Sequence, residues 1–204
     1  ERLDDLLREH LFEPLQMQDT GFCLDPDQQD RLMPMFGVSN IRDLSPMNPP
    51  LEQTLTAIDV AGMYPAANSD FRRGGHGLFS STSDYLKFAT MLLDGKTATG
   101  EVMLSRTMLK MMQANRIPEH QLPLKIGLGP LPGYGWGLTG RVMIDTGQAM
   151  SLTNNGEFGW SGAAATYFWV DPAEAMVGVI MTQYLGSILP MSEALRTAAY
   201  QMLD

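Results

Sequence analysis

Residues 154–172 read NNGEFGWSGAAATYFWVDP. Gly156, Gly159 and Gly162 bracket the pair Trp160-Ser161, and a run of alanines separates them from the ring-rich stretch Tyr167–Val170. Aromatic and β-branched residues in a short run read as a strand. Pro172-Ala173-Glu174 then suits a tight turn into a second strand, AMVGVIMTQ, residues 175–183. The pattern Gly159-x-x-Gly162 at the start of an edge strand lets another molecule's backbone come close, so that its N–H groups can reach a substrate carbonyl. The same glycines also suit a simple bulge or turn.

Outward from this stretch the period of the apolar residues changes. YGWGLTGRVMI (134–144) is strand-like, and GLGPLPGYGWG (127–137) reads as the connection into it. Upstream, residues 80–95 carry Ser81-x-x-Asp84, a capping-box pattern with Asp in place of Glu. Tyr85, Phe88 and Leu92 follow at helical spacing, and Gly95 stands where a helix stops. LSRTMLKMMQAN (104–115) predicts a second helix capped by Ser105, with Met108, Leu109 and Met112 facing inward. Residues 1–16 predict an amphipathic helix along Leu3, Leu6, Leu7 and Leu11, closed by Pro14. Residues 17–79 are turn-rich, a span that long being expected to wrap something or to wall a site. The closing stretch 189–203 predicts a helix with Leu195, Ala198 and Met202 on one face. The order fits an α+β fold, an antiparallel sheet flanked by helices, rather than a doubly wound one. It divides into residues 1–79, a helix and a loop-rich part, and residues 80–204, which carry the sheet.

The 204 residues are 44% hydrophobic and 18% charged, the balance of a globular protein. A formal net charge of −9 makes nucleic acid and anionic membranes poor partners. No apolar run approaches the roughly 18 residues of a membrane span. A single cysteine, Cys23, allows no internal disulfide and leaves the compartment open, bacterial cytoplasm or periplasm. His10, His76 and His120 are far apart and lack zinc-ligand spacing, so no metal and no cofactor is expected. His76, between glycines, is the one placed to lie near a cleft. The glycines of GLGPLPGYG lack the lysine and the strand-to-helix context of a phosphate loop.

Gly159-Trp160-Ser161-Gly162-Ala163 nearly spells a nucleophile elbow, but its second glycine comes one position early and a strand follows where a helix is needed. Ser161 is therefore a poor nucleophile candidate. Glu157 reads as a solvated loop carboxylate, with general acid or base work as the alternative.

Four stretches in succession resemble the C-terminal half of the serine β-lactamase-like family, which includes class C β-lactamases, penicillin-binding DD-peptidases and related esterases and acyltransferases. They are LREHLFEPLQMQDTGF (7–22), GGHGLFSSTSDYLKFATMLLDGK (74–96), GEFGWSGAAATYFWVDP (156–172) and AMVGVIMTQ. The resemblance implies a β-lactamase/transpeptidase-like fold lacking its N-terminal segment. By position, Glu157, Phe158 and Gly159 stand where β-lactamases have Lys-Thr-Gly. In the esterase branch a Trp-Gly-Gly occupies this strand, here Trp160-Ser161-Gly162. The resemblance makes Trp160 a backbone oxyanion donor whose ring walls the acyl pocket, and places Glu157, Phe158, Gly159, Ser161 and Gly162 in the substrate-binding stretch. Without the motif's lysine, recognition of a β-lactam carboxylate is lost, which favours a small ester or amide substrate. A DD-peptidase, a true β-lactamase, or a non-catalytic binding module on the same scaffold are the alternatives.

The family's nucleophile and base lie in Ser-x-x-Lys, with a helper Tyr-x-Asn. No Ser-x-x-Lys occurs: Ser83 and Lys87 are one residue too far apart, and Tyr64 to Asn68 is not Tyr-x-Asn. The expectation is a fragment holding the oxyanion strand and pocket wall but no nucleophile, inactive alone. Its partners would be the missing N-terminal segment or a second copy of itself, covering an exposed apolar face.

Overall fold

In the computed structural model, residues 2–37, 57–58, 72, 74–75, 77–126, 129–186 and 191–203 are described. His76, Tyr64 and Asn68 lie outside them. The chain opens with helix α1 (Leu3–Leu7), continued by a π-helical turn over Arg8–Phe12. There the Glu13 N–H donates to the Arg8 carbonyl at 2.9 Å, and the helix ends just before Pro14, as the sequence predicts. The wide turn delivers Phe12, Leu15 and Met17 into the core. A short helix α2 (Pro26–Asp30) follows, then strands β1 (Met35–Gly37) and β2 (Ala57–Ile58).

Helix α3 spans Thr82–Asp94. Ser81 caps it by accepting from the Asp84 N–H, and Gly95 ends it at φ 76°, a left-handed position suited to glycine. The Asp84 carboxylate turns elsewhere. It accepts from the Asp19 N–H at 2.7 Å, Thr20 Oγ1 at 3.0 Å and Lys87 Nζ at 2.9 Å, pinning the segment after α1 to the start of α3. Helix α4 (Arg106–Gln113) is capped by Ser105. It buries Leu109 but leaves Met108 exposed, so only part of the expected inward face packs.

An unexpected antiparallel pair precedes and enters the connection read over 127–137, β3 (Leu124–Ile126) with β4 (Gly129–Leu131). Next come β5 (Tyr134–Trp136), β6 (Arg141–Met143), β7 (Phe158–Ser161), β8 (Tyr167–Asp171) and β9 (Met176–Ile180). They form one antiparallel sheet in chain order, β5-β6-β7-β8-β9. Strand β10 (Tyr184–Leu185) runs parallel to β1, which pairs with β2, and helix α5 (Met191–Tyr200) closes the fold. The turn between β8 and β9 is held by Asp171 Oδ1, which accepts from the Ala173 and Glu174 N–H groups.

Strand alternation gives the five-stranded sheet two unlike faces. Val142, Phe158, Phe168 and Val170 meet α3 and the Phe12–Met17 segment in one apolar cluster. Arg141, Met143, Glu157, Tyr167, Trp169 and Asp171 point the other way, and all are buried. Helix α5 packs here through Arg196, its one buried residue. The apolar face expected along Leu195, Ala198 and Met202 is turned to solvent: Leu195 and Ala198 are exposed, and Met202 is 81% exposed. The reason is that α5 docks by a hydrogen-bonding guanidinium, which fixes its rotation.

Asp84→Ala takes one acceptor from each of three donors, two of them on the segment after α1, and leaves Thr20 Oγ1 with Ser80 and Lys87 Nζ with the Gln16 carbonyl. Urea unfolding should show a loss of about 1–3 kcal/mol, with the Ser81 cap left intact.

Candidate functional site

Strand β7 is an inner strand for half its length. Phe158 pairs with Val142 of β6 and Val170 of β8, and Gly159 with Arg141 and Trp169. Beyond Gly159, only β8 continues, pairing Trp160 with Phe168 and Ser161 with Tyr167. The expected edge strand is thus an edge only from Trp160 onward. Gly159 has no room for a side chain: a Cβ there would lie 2.1 Å from the Phe168 carbonyl oxygen. Here glycine serves the contact between β7 and β8 rather than a ligand.

The direction of each amide follows from the ladder. In an antiparallel pair, N–H groups alternate between the two neighbouring strands. The Gly162 N–H donates to Thr166 on the β8 side at 2.8 Å, so the Trp160 amide points to β8 as well. On the other side, the Met143 N–H donates to the Glu157 carbonyl at 2.8 Å, which assigns Glu157, Gly159 and Ser161 to the β6 side. The Trp160 amide, expected to bind an oxyanion, is thus taken up by the sheet. Ser161 is the first residue of β7 whose amide faces a side where no strand pairs with it, and it is exposed. Gly162 and Ala163, next along the chain, are exposed too.

The ring of Trp160 is half-buried and meets Trp136 edge to face, with centroids 4.6 Å apart. Trp136 is held through its backbone. Its N–H donates to Asn115 Oδ1 at 3.0 Å, and its carbonyl accepts from the Arg116 N–H at 2.7 Å. The β5–β6 hairpin tip, Leu138-Thr139, lies beside this pair, because a Cβ on Gly140 would stand 3.6 Å from Trp160 Cβ. Thr139 Oγ1 is shielded from water and has no hydrogen-bond partner among the described residues.

Glu157 is no solvated loop carboxylate. It is fully buried, and Glu157 Oε2 accepts from Arg196 Nη1, Tyr134 Oη and Thr153 Oγ1, each at 2.9 Å. It is placed to support β7 from beneath rather than to touch a ligand, and Phe158, fully buried in the apolar cluster, is likewise out of a ligand's reach. Arg196 also donates to the Tyr134 hydroxyl at 2.7 Å, to the Tyr167 hydroxyl at 3.1 Å and to Ser151. Arg141 bonds Tyr167, and its guanidinium lies over the rings of Tyr134 and Tyr167, 4.5 and 4.9 Å from their centroids. Burial would lower the Arg196 pKa, but Tyr167, Tyr134 and Glu157 outweigh it and hold the value above its ordinary level. Burial likewise pushes the Tyr134 and Tyr167 hydroxyls up.

Sequence reasoning missed Arg196, Tyr134, Tyr167 and Trp136. The available signals were a lone arginine among the small residues of the closing helix, and a tryptophan between two glycines.

Two clefts lie away from the β7 end. One, of about 610 Å³, is lined by residues of α1 and the Met17–Cys23 segment together with Arg72; the other, of about 480 Å³, by residues around Thr146–Thr153 and Thr197. Neither includes Trp160 or Ser161.

Residues 1–201 match the family described as Beta-lactamase. The chain belongs to that family. Protein Rv1367c of Mycobacterium tuberculosis (strain ATCC 25618 / H37Rv) is 28% identical over 186 residues, which cover 89% of this chain and 43% of that protein. Two solved structures share the fold. EstCE1, a hydrolase with promiscuous acyltransferase activity, superposes with a TM-score of 0.76 at 24% identity, over 98% of this chain and 51% of its own. The LovD6 mutant of simvastatin synthase, LovD, from Aspergillus terreus, does so with a TM-score of 0.77 at 21% identity, over 99% of this chain and 51% of its own. The chain therefore spans about half the length of the beta-lactamase-family proteins it matches.

Arg196→Met should destabilise the chain by about 3–5 kcal/mol, because it leaves Glu157 buried without its cation. The double variant Arg196→Met/Glu157→Gln should recover part of that loss in denaturant titrations. A second outcome concerns pH. Tyr134 and Tyr167 have folded-state pKa values raised above the ordinary 10, so the stability they add is complete below pH 10 and falls as pH rises above it. Phenolate absorbance at 295 nm should therefore show these tyrosines ionising only together with alkaline unfolding.

Proposed function

We propose that this chain supplies the oxyanion strand and one pocket wall of a serine acyl hydrolase acting on small esters or amides, and that the attacking serine comes from residues outside this sequence. The observation that carries the reading is the end of β7. From Ser161 onward, backbone N–H groups on the β6 side have no strand opposite them among the described residues, beside a half-buried tryptophan pair. Amides fixed where negative charge develops are commonly worth ~3 kcal/mol each in acyl transfer. The donor in this reading is the Ser161 amide, or the next amide on the same side, rather than that of Trp160.

The reaction follows ordinary acyl transfer. A serine oxygen attacks the carbonyl carbon, and its proton passes through a base to the departing alkoxide or amine. The resulting acyl-serine ester is then cleaved by water or an alcohol. Ser-x-x-Lys is the family's usual source of nucleophile and base, and this sequence contains none. Two further features favour a covering partner. Among the described residues, strand β9 pairs only with β8, and α5 shows solvent an apolar stripe. In this reading the rest of the longer polypeptide covers both, and self-association is the substitute when it is absent.

A fluorophosphonate serine probe tests this directly. The 204-residue chain should take up no label, while a longer polypeptide joining it to a Ser-x-x-Lys segment should be labelled at that serine. In the latter, Ser161→Pro, which removes the amide hydrogen, should lower kcat about 100-fold to 1000-fold. Labelling of Ser161 in the chain alone would overturn the proposal. Ligand binding without labelling in either protein would favour the non-catalytic binding module.

A further inference from the structure

We infer that Trp136 is a specificity-determining residue of the acyl side of this site, and that with Trp160 it selects extended or aromatic acyl groups over acetyl. The inference rests on the placement of acyl transfer at the end of β7. The ladder sets Trp136 opposite Arg141, and Arg141 opposite Gly159, so Trp136 stands two strands from the point where β7 becomes free, across β6. The edge-to-face contact with Trp160 occupies an edge of one ring and a face of the other. Both residues are half-buried, Trp160 against the apolar cluster, and keep part of their surface open. Leu138, 60% exposed at the hairpin tip, extends the apolar surface, and its N–H donates to the Met112 carbonyl at 2.7 Å, tying the tip to the end of α4.

The wall is rigid where a passive surface patch has no need to be. Asn115 Oδ1 accepts from the N–H groups of both Trp136 and Ile117, and its amide donates to the Ile117 carbonyl. Gly135 lies flush against it, since a Cβ there would meet Asn115 Oδ1 at 2.3 Å. Two indoles, fixed by backbone contacts and left partly open beside unpaired amides, form an apolar platform next to a polar anchor. An ester fits that arrangement with its carbonyl oxygen at the amides and its acyl chain along the rings. The unpartnered Thr139 Oγ1 lies on the same hairpin tip. An acetyl group is too short to lie along the rings, whereas a chain of several carbons or a phenyl ring gains from both.

The three tryptophans provide a readout in the 204-residue chain itself. Trp169 is buried under Gly178 on the α5 side and serves as the internal control. Titration of the ¹⁵N-labelled chain with methyl hexanoate should shift the indole N–H signals of Trp136 and Trp160 and leave that of Trp169 in place. Methyl acetate at equal concentrations should move none of them. Trp136→Ala should weaken methyl hexanoate binding about tenfold, the scale of a few methylene contacts in an apolar pocket. Trp136→Phe, which keeps an apolar ring in the same backbone frame, should lose less. Equal binding by the wild type and either variant, or shifts spread equally over all three indoles, would overturn the inference. Serine labelling and ester binding fail separately. Hexanoate binding by the chain with no labelling of the longer polypeptide would leave the wall standing and remove the hydrolase reading; labelling of the longer polypeptide with a Trp136 indifferent to acyl length would do the reverse.

Discussion

One buried ion pair sets the geometry on which the rest depends. Arg196 of α5, with 4% of its side chain exposed, meets the fully buried Glu157 immediately before β7. Burying two charges is costly, and an apolar pair of equal volume can be as stable. A guanidinium adds direction. Its fixed fork of donors reaches Glu157, Tyr134, Tyr167 and Ser151 at once, so a single side chain ties α5 to β5, β7, β8 and the loop before Glu157. A slip of one residue in β7 would turn Glu157 into the apolar cluster and Phe158 onto Arg196. The register that frees Ser161 is therefore held from beneath.

The two faces of the sheet divide the work. Phe158, Phe168, Val170 and Val142, packed on α3 and on Phe12 and Leu15, provide apolar burial, which is large but weakly directional. The opposite face provides bonds that tolerate few alternatives. Between them the end of β7 is both supported and left unpaired. Asp84 does a similar task at the other end of α3, joining the segment after α1 to a helix it does not follow in sequence.

Much of this architecture was legible because local chemistry and tertiary outcome agree. Ser81, Gly95 and Ser105 cap helices where their side chains or lack of one predict, and Asp171-Pro172 ends a strand. The outcome departed from expectation where a distant partner decides. Periodicity put Leu195 and Ala198 of α5 on one face without saying where it points, and the acceptors that decide this by holding Arg196 are Tyr134, Glu157 and Tyr167, about 30 to 60 residues away. Glu157 looked solvated for the same reason, since nothing adjacent in the sequence announces its cation. The direction of the Trp160 amide was hidden as well. Motif position locates a strand, but only pairing register says which of its N–H groups remain free.

The edge of β9, unpaired among the described residues, bears on the same question as the end of β7. Met176–Ile180 carries no charge, no proline and no bulge, the devices by which exposed edges usually avoid pairing. Gly178 deepens the problem: the Trp169 ring occupies the place of its side chain, so nothing can be added there without displacing a buried indole. An edge kept apolar and free of bulges is suited to being covered. On the proposed reading, the segment that covers β9 and the segment that brings the serine belong to the same missing half. The sheet would then be completed at β9, while the cleft is completed at Ser161, two strands away. Assembly and chemistry would thus be separate events at separate edges, so a variant that blocks pairing at β9 need not alter the amides at β7.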